Sequence, residues 1–161
     1  MKIRTGLGID VHSFDDSRKF YLGGIIIPYH KGLTGHSDAD VLLHAIIDAI
    51  LGAANLKDIG FFFPDNDNKY KNIRSTVLLE KTAILIKEKK FKIGNIDCTV
   101  CLEKPKIAKY IPEMQKRIAN ILKIDIEDIS IKATTFEKMG FVGEEKGVLA
   151  LANCIIYKDG V

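Results

Sequence analysis

Apolar positions along this chain follow two rhythms, one of about two residues and one of three to four, and their alternation lays out the elements. Ile3 to His12 reads as a strand loosened by Gly6 and Gly8, and Tyr21 to Ile27 as strand, glycine turn and strand, closed by Pro28. Leu42, Ala45, Ile46, Ala49, Ile50 and Ala53 then recur at helical spacing, a stripe that must face a core. Ser37 is placed to cap this helix, with Asp40 three residues later where an acid favours the dipole. Asp40, His44 and Asp48, four apart, fall on a different and polar face.

The proline and Asx content of Phe61 to Asn68 predicts a loop. A second helix is expected from about Ser75 to Lys89, burying Leu78, Leu79, Ala83, Leu85 and Ile86. Ile96, Cys98, Val100 and Leu102 alternate as a strand does. Pro112 opens a third helix carrying Ile111, Met114, Ile118, Ile121 and Leu122. Ile129–Ala133 and Val148–Tyr157 are the last strands. With no repeats and no linkers, residues 1–161 read as a single domain of α/β class, an α+β sandwich with helices packed on one face of a mixed sheet.

Composition narrows the function. At 47% hydrophobic and 28% charged the chain can build a core without disulfides. A net charge of +3 lacks the clustered basic face of a nucleic-acid binder, and no apolar run reaches the ~20 residues of a membrane span. The N-terminus runs into core sequence without a signal peptide, and three cysteines fit a reducing compartment. The expected location is therefore the cytoplasm, or a plastid-type organelle if a transit segment has been removed. Cys98 and Cys101 form a C-x-x-C, but residues three apart on a strand face opposite sides, so they are expected to be unlinked thiols.

Asp10-Val11-His12 is the sharpest chemical signal, because residues i and i+2 of a strand project to one face. His44 is the best candidate for a third ligand, and two histidines with one aspartate suit Zn²⁺ with an open fourth position. A salt-bridged pair is the alternative. Asp48 stands one turn beyond His44, either fixing its tautomer from behind or as a surface acid. His36 and Ser37 precede a helix whose N–H groups favour an anion, although Ser37 would serve equally as a plain cap. His30 has no supporting neighbours and reads as exposed. Thr134, Thr135 and Glu137 end a strand in groups that suit phosphate oxygens and Mg²⁺, or simply make a polar turn. Pro105-Lys106 reads as a turn with a basic tip.

Taken in order, several short motifs match one family. They are Gly8-Ile9-Asp10-Val11-His12, Gly23-Gly24, His36-Ser37-Asp38, Asp40, His44, Asp48, Asp58-Ile59-Gly60 and Phe63-Pro64-Asp65. Pro105-Lys106, Lys132-Ala133-Thr134-Thr135, Glu137-Lys138 and Gly140-Phe141 continue the set over nearly the whole chain. The set resembles the 2-C-methyl-D-erythritol 2,4-cyclodiphosphate synthase family of the non-mevalonate isoprenoid pathway.

The resemblance implies zinc on Asp10, His12 and His44, and magnesium or manganese on Glu137. It implies His36 and Thr135 beside the reacting phosphates, with Asp48 behind the zinc ligands. It assigns substrate contacts to Ser37, Asp58, Ile59, Gly60, Phe63, Pro64, Asp65, Asn66 and Asp67. Contacts to the cytidine diphosphate part are implied for Leu102, Pro105, Lys106, Ile107, Ala108, Ala133 and Thr134, and a further contact for Phe141. It also implies a homotrimer with active sites between subunits, each binding a small-molecule cytidine diphosphate substrate. The expected reaction is that of a phosphorus–oxygen lyase, in which the substrate's 2-phosphate attacks its β-phosphate and CMP leaves. A zinc phosphohydrolase and a non-catalytic trimeric diphosphate-binding protein are the competing readings. Glu144 stands where many family members carry an arginine, which predicts weak binding of isoprenoid diphosphates.

Overall fold

Two glycines in the first strand decide how closely the first helix can lie on the sheet. A computed structural model describes residues 1–159, and β1 (Lys2–Asp15) is its longest strand. A Cβ added at Gly6 or Gly8 would stand 1.9 Å from the carbonyl oxygens of Ala49 and Ala45. Only glycine permits that approach. Helix α1 (Val41–Ala53) therefore rests its Ala45–Ala49–Ala53 edge backbone to backbone on β1, which sets His44 beside Asp10 further along the strand.

After β1 come a small hairpin of β2 (Phe20–Leu22) and β3 (Ile25–Ile27), the short β4 (Gly32–Leu33), α1 and a short α2 (Ile59–Phe62). They are followed by α3 (Ser75–Glu88), β5 (Lys92–Cys101), α4 (Ile111–Leu122), β6 (Ile129–Thr134), a short α5 (Gly140–Gly143) and β7 (Gly147–Lys158). The main sheet runs β4-β1-β7-β5-β6. It is mixed: β5 and β6 are parallel, while β7 pairs antiparallel with both β1 and β5. Pairing sets Asp10 opposite Ala150 and His12 opposite Val148. The sandwich expected from the sequence is the observed architecture, and none of the described helices is long and apolar enough to cross a membrane.

One sheet face packs on α1 through Val148, Ala150, Ala152, Cys154 and Ile156, all buried. The other face stays open. Leu7 is 57% exposed, Ile9 53% and Val11 47%, large for branched apolar side chains in mid-strand.

Three local expectations need correction. Helix α1 begins at Val41 and is capped by Asp40, not Ser37; the Asp40 carboxylate accepts from Leu43 N at 3.1 Å. That carboxylate also accepts from Gly23 N and Gly24 N, at 2.9 and 2.7 Å, so it ties the hairpin turn to the helix. Nor is α1 amphipathic. Leu43, Ile47 and Leu51 are buried as well, because α3 covers the side turned from the sheet. The Phe61–Asn68 loop is partly ordered by α2 and by a single 3₁₀ turn at Asn68–Tyr70. Cys98, Cys101 and Cys154 are unlinked and buried; burial raises the Cys98 thiol to about 12 and Cys154 to about 11, which leaves them inert.

Candidate active site

The C-terminal half of β1 and the first turns of α1 bring Asp10, His12 and His44 together. Asp10 Oδ2 lies 2.9 Å from His12 Nε2 and 3.0 Å from His44 Nδ1, and the two nitrogens are 3.1 Å apart. Strand alternation aims Asp10 and His12 at the helix, and the glycine contact at Gly8 lets His44 reach them. Among the described residues this trio forms a metal-binding constellation. Burial acts to raise the Asp10 carboxyl, but hydrogen bonds from His12 and His44 outweigh it and lower the pKa to about 2. Burial disfavours the His44 cation, yet the hydrogen bond and charge of Asp10 leave its pKa above the ordinary histidine value. A metal ion would replace the protons that now separate these donors.

The trio lines a cavity of about 210 Å³. His36, Ser37, Ile59, Gly60, Phe63 and Asp65 line it too, so most of the first group of expected residues converges here. Asp58 sits just behind: its carboxylate caps α2, accepting from Phe61 N at 2.9 Å. Asp67 caps the following 3₁₀ turn through Lys69 N at 3.0 Å, while Pro64 and Asn66 flank the cavity loop without lining it.

Two assignments change. Asp48 does not hold His44; its Oδ1 accepts from Ile59 N at 2.7 Å, one element away. Four residues of helix carry it past the imidazole and up to the Asp58-Ile59 turn. Ser37 does not offer a helix N-terminus to an anion, because the Asp40 carboxylate already occupies that end. Its Oγ instead accepts from Ala39 N at 3.1 Å and lies 3.1 Å from His44 Nε2.

The second group forms another cluster. Leu102, Pro105, Lys106, Ile107 and Ala108 follow β5, Ala133 and Thr134 end β6, and Thr135 and Glu137 come just after it. Leu102 N donates to Thr134 O at 3.0 Å, joining the two segments, and Thr135 Oγ1 donates to Glu137 Oε1 at 2.8 Å. Glu103 Oε1 accepts from Phe136 N at 2.9 Å and fixes the turn. Phe141 is exposed on α5. None of these residues lines the Asp10–His12–His44 cavity.

The model of the YgbB family matches residues 3–157. This chain belongs to the YgbB family. A YgbB relative from Bacteroides fragilis is 56% identical over 97% of this chain and 98% of its own length. One from Clostridium acetobutylicum is 54% identical over 96% and 99%. Both are named 2-C-methyl-D-erythritol 2,4-cyclodiphosphate synthase. Among solved structures, the bifunctional IspDF of Campylobacter jejuni superposes with a TM-score of 0.94 at 42% identity. That match covers 98% of this chain and 43% of the bifunctional one. IspF of Plasmodium falciparum, a CDP complex, gives 0.86 at 36% identity over 98% and 97%.

Sequence reasoning missed a layer behind His44 in this YgbB chain. Ser75 Oγ lies 2.8 Å from His44 Nε2 and donates to Asp38 Oδ1, and Arg74 Nε donates to Asp38 Oδ2 at 2.9 Å. In the sequence Asp38 is only part of a motif, Ser75 only the start of a helix, and Arg74 carries no signal. The partners are 36 and 37 residues apart, with no periodicity to join them.

Proposed function

We propose that this chain closes 4-diphosphocytidyl-2-C-methyl-D-erythritol 2-phosphate into 2-C-methyl-D-erythritol 2,4-cyclodiphosphate, releasing CMP. The observation that carries the reading is the convergence of Asp10, His12 and His44 on one cavity, in a chain whose relatives bear that enzyme's name. Bonds of about 2.0–2.1 Å to a tetrahedral Zn²⁺ hold ligand atoms about 3.3 Å apart. Separations of 2.9, 3.0 and 3.1 Å among the three donors suit that ion. Mg²⁺ takes one or two carboxylates plus substrate phosphates, and exposed Glu137 offers one. When bound, the two cations polarise phosphoryl oxygens and absorb developing charge.

An oxygen of the substrate's 2-phosphate forms the new bond to the β-phosphorus. The bond from that phosphorus to the bridging oxygen breaks, and CMP leaves with the bridging oxygen. Breaking that P–O bond with ring closure and no water makes this a phosphorus–oxygen lyase reaction, and because a phosphate dianion needs no base it is governed by positioning. Good positioning supplies roughly 7–11 kcal/mol of a barrier. His36 and Ser37 bind phosphate oxygens at the cavity, Thr134, Thr135 and Lys106 bind the cytidine diphosphate arm, and Gly60 and Asp65 bind the erythritol. Phe63, Ile73 and Leu78 supply apolar wall that keeps water from competing.

The two clusters belong to one site only if neighbouring subunits share it. In the order β1-β7-β5-β6, β1 and β6 stand three strand spacings apart, about 14 Å. The open sheet face of Leu7, Ile9, Val11 and Ile155 supports a homotrimer in which copies bury this face and join opposite clusters. The reaction belongs to the cytoplasm in this reading, where three free cysteines stay reduced.

Phosphorus NMR of the substrate with the protein, with and without zinc and magnesium, tests the proposal. Cyclic diphosphate plus CMP, lost on chelation, supports it; linear phosphates would make the protein a hydrolase and overturn it.

A further inference from the structure

Behind His44, on the side turned from Asp10 and His12, a short series of buried hydrogen bonds has a fixed polarity. Arg74 Nε and the backbone N–H of Ser75 both donate to Asp38 Oδ2, at 2.9 and 3.1 Å. Both oxygens of Asp38 therefore act as acceptors, Oδ2 toward two donors that cannot reverse, a guanidinium N–H and a backbone N–H. Ser75, fully buried, gives its single hydroxyl proton to Asp38 Oδ1. Its oxygen then faces His44 Nε2, 2.8 Å away, with a lone pair. That nitrogen must therefore carry the ring proton. In the neutral imidazole Nδ1 is left bare, and Nδ1 is the atom that meets Asp10 and His12.

We propose that Arg74, Asp38 and Ser75 are positioning residues that lock His44 as its Nε2–H tautomer, which presents Nδ1 to a metal ion. The inference rests on the metal reading above. The same polarity sets the role of Ser37. Its oxygen accepts from Ala39 N and stands 3.1 Å from His44 Nε2, where it acts as a second acceptor for the ring N–H. The Ser37 hydroxyl proton is left free to point into the cavity that Ser37 lines, a donor for an anionic substrate oxygen.

Asp38→Asn gives the sharpest test. Oδ1 also accepts from Asp40 N, but at 3.3 Å, so the Asn carbonyl should face the closer, fixed donors Arg74 Nε and Ser75 N, which leaves its NH₂ to donate to Ser75 Oγ. Ser75 is then free to donate to His44 Nε2, which selects the wrong tautomer. Zinc affinity of the full chain would be measured by competition with a chromophoric chelator, with circular dichroism to establish folding. Ser75→Ala and Asp38→Asn are expected to weaken zinc about 10- to 100-fold, and Ser75→Thr, which keeps the hydroxyl, to stay within about threefold. Long-range proton–nitrogen correlation spectra of the unmodified zinc-loaded protein should show His44 protonated at Nε2, a reading that needs no variant to fold. Zinc on Nε2 instead, or zinc affinity in Ser75→Ala and Asp38→Asn as high as in the parent, overturns the inference alone. A parent protein that binds no zinc overturns the metal site and this inference with it.

Discussion

The carboxylate of Asp48 accepts a hydrogen bond from the backbone N–H of Ile59 at 2.7 Å, pinning the turn between α1 and α2 where Ile59 and Gly60 enter the cavity wall. A helix acid therefore sets the position of a cavity-lining loop, and the hydrogen bond of its carboxylate goes to that loop rather than to His44. Truncating Asp48→Ala should lower kcat/KM about 10- to 100-fold, the worth of a charge-assisted hydrogen bond, with zinc content unchanged. Asp48→Asn keeps an acceptor and should retain most activity. Steady-state kinetics with metal analysis separates this from loss of zinc.

His44→Ala removes one of three converging donors and should abolish cyclisation and zinc retention while sparing the assembly. Light scattering checks the assembly and bound metal the site. A variant that falls apart instead would make the ion structural.

Ile9 stands 53% exposed on the open face, with Leu7 and Val11 on either side. Ile9→Glu should give a folded monomer, because burying an unpaired charge in an interface costs several kcal/mol. If sites are shared between subunits, that monomer turns over at least about 100-fold more slowly while still binding zinc. Full activity in the monomer would rule shared sites out.

Asp40 makes stability depend on pH in a direction opposite to Asp10. Burial and neighbouring Asp38 raise the Asp40 carboxyl from 3.8 to about 6, against the N–H donors of Gly24, Leu43 and Gly23. The folded state thus holds this proton more tightly, so the stabilisation is present below pH 3.8 and is lost as pH rises to about 6. Asp10, lowered to about 2, contributes stability above pH 3.8 that is lost as pH falls through 2. Replacing Asp40→Ala orphans three buried N–H groups, which outweighs the relief of one buried charge; a loss of about 2 kcal/mol or more is expected. Denaturant unfolding of the metal-free protein between pH 3 and 8 should show the Asp40 slope in the parent and not in the variant.

Glu144 pairs with Lys146 on the surface beyond α5. An acid at that position repels a diphosphate, so calorimetric titration with an isoprenoid diphosphate should show binding weaker than micromolar, and Glu144→Arg should strengthen it.

Periodicity by itself determined the helices from Ser75 and from Ile111, the long strands, and a sheet covered by helices, because each pattern records local geometry that a strand or helix must satisfy. It determined Asp10 and His12 as a pair too, since two residues apart on a strand means one face. Tertiary structure alone decided the rest. Gly6 and Gly8 read as weak points in a strand until α1 was seen lying on them, 1.9 Å from where a Cβ would be. Asp40 read as an acid in a first turn until the hairpin's two N–H groups were found on it. Asp48 passed His44 and met Ile59, and Ser75 and Asp38 reached His44 from remote segments. Hydrogen bonds between distant segments leave no rhythm in a sequence, because they depend on where packing brings two chains of atoms together rather than on the spacing along one.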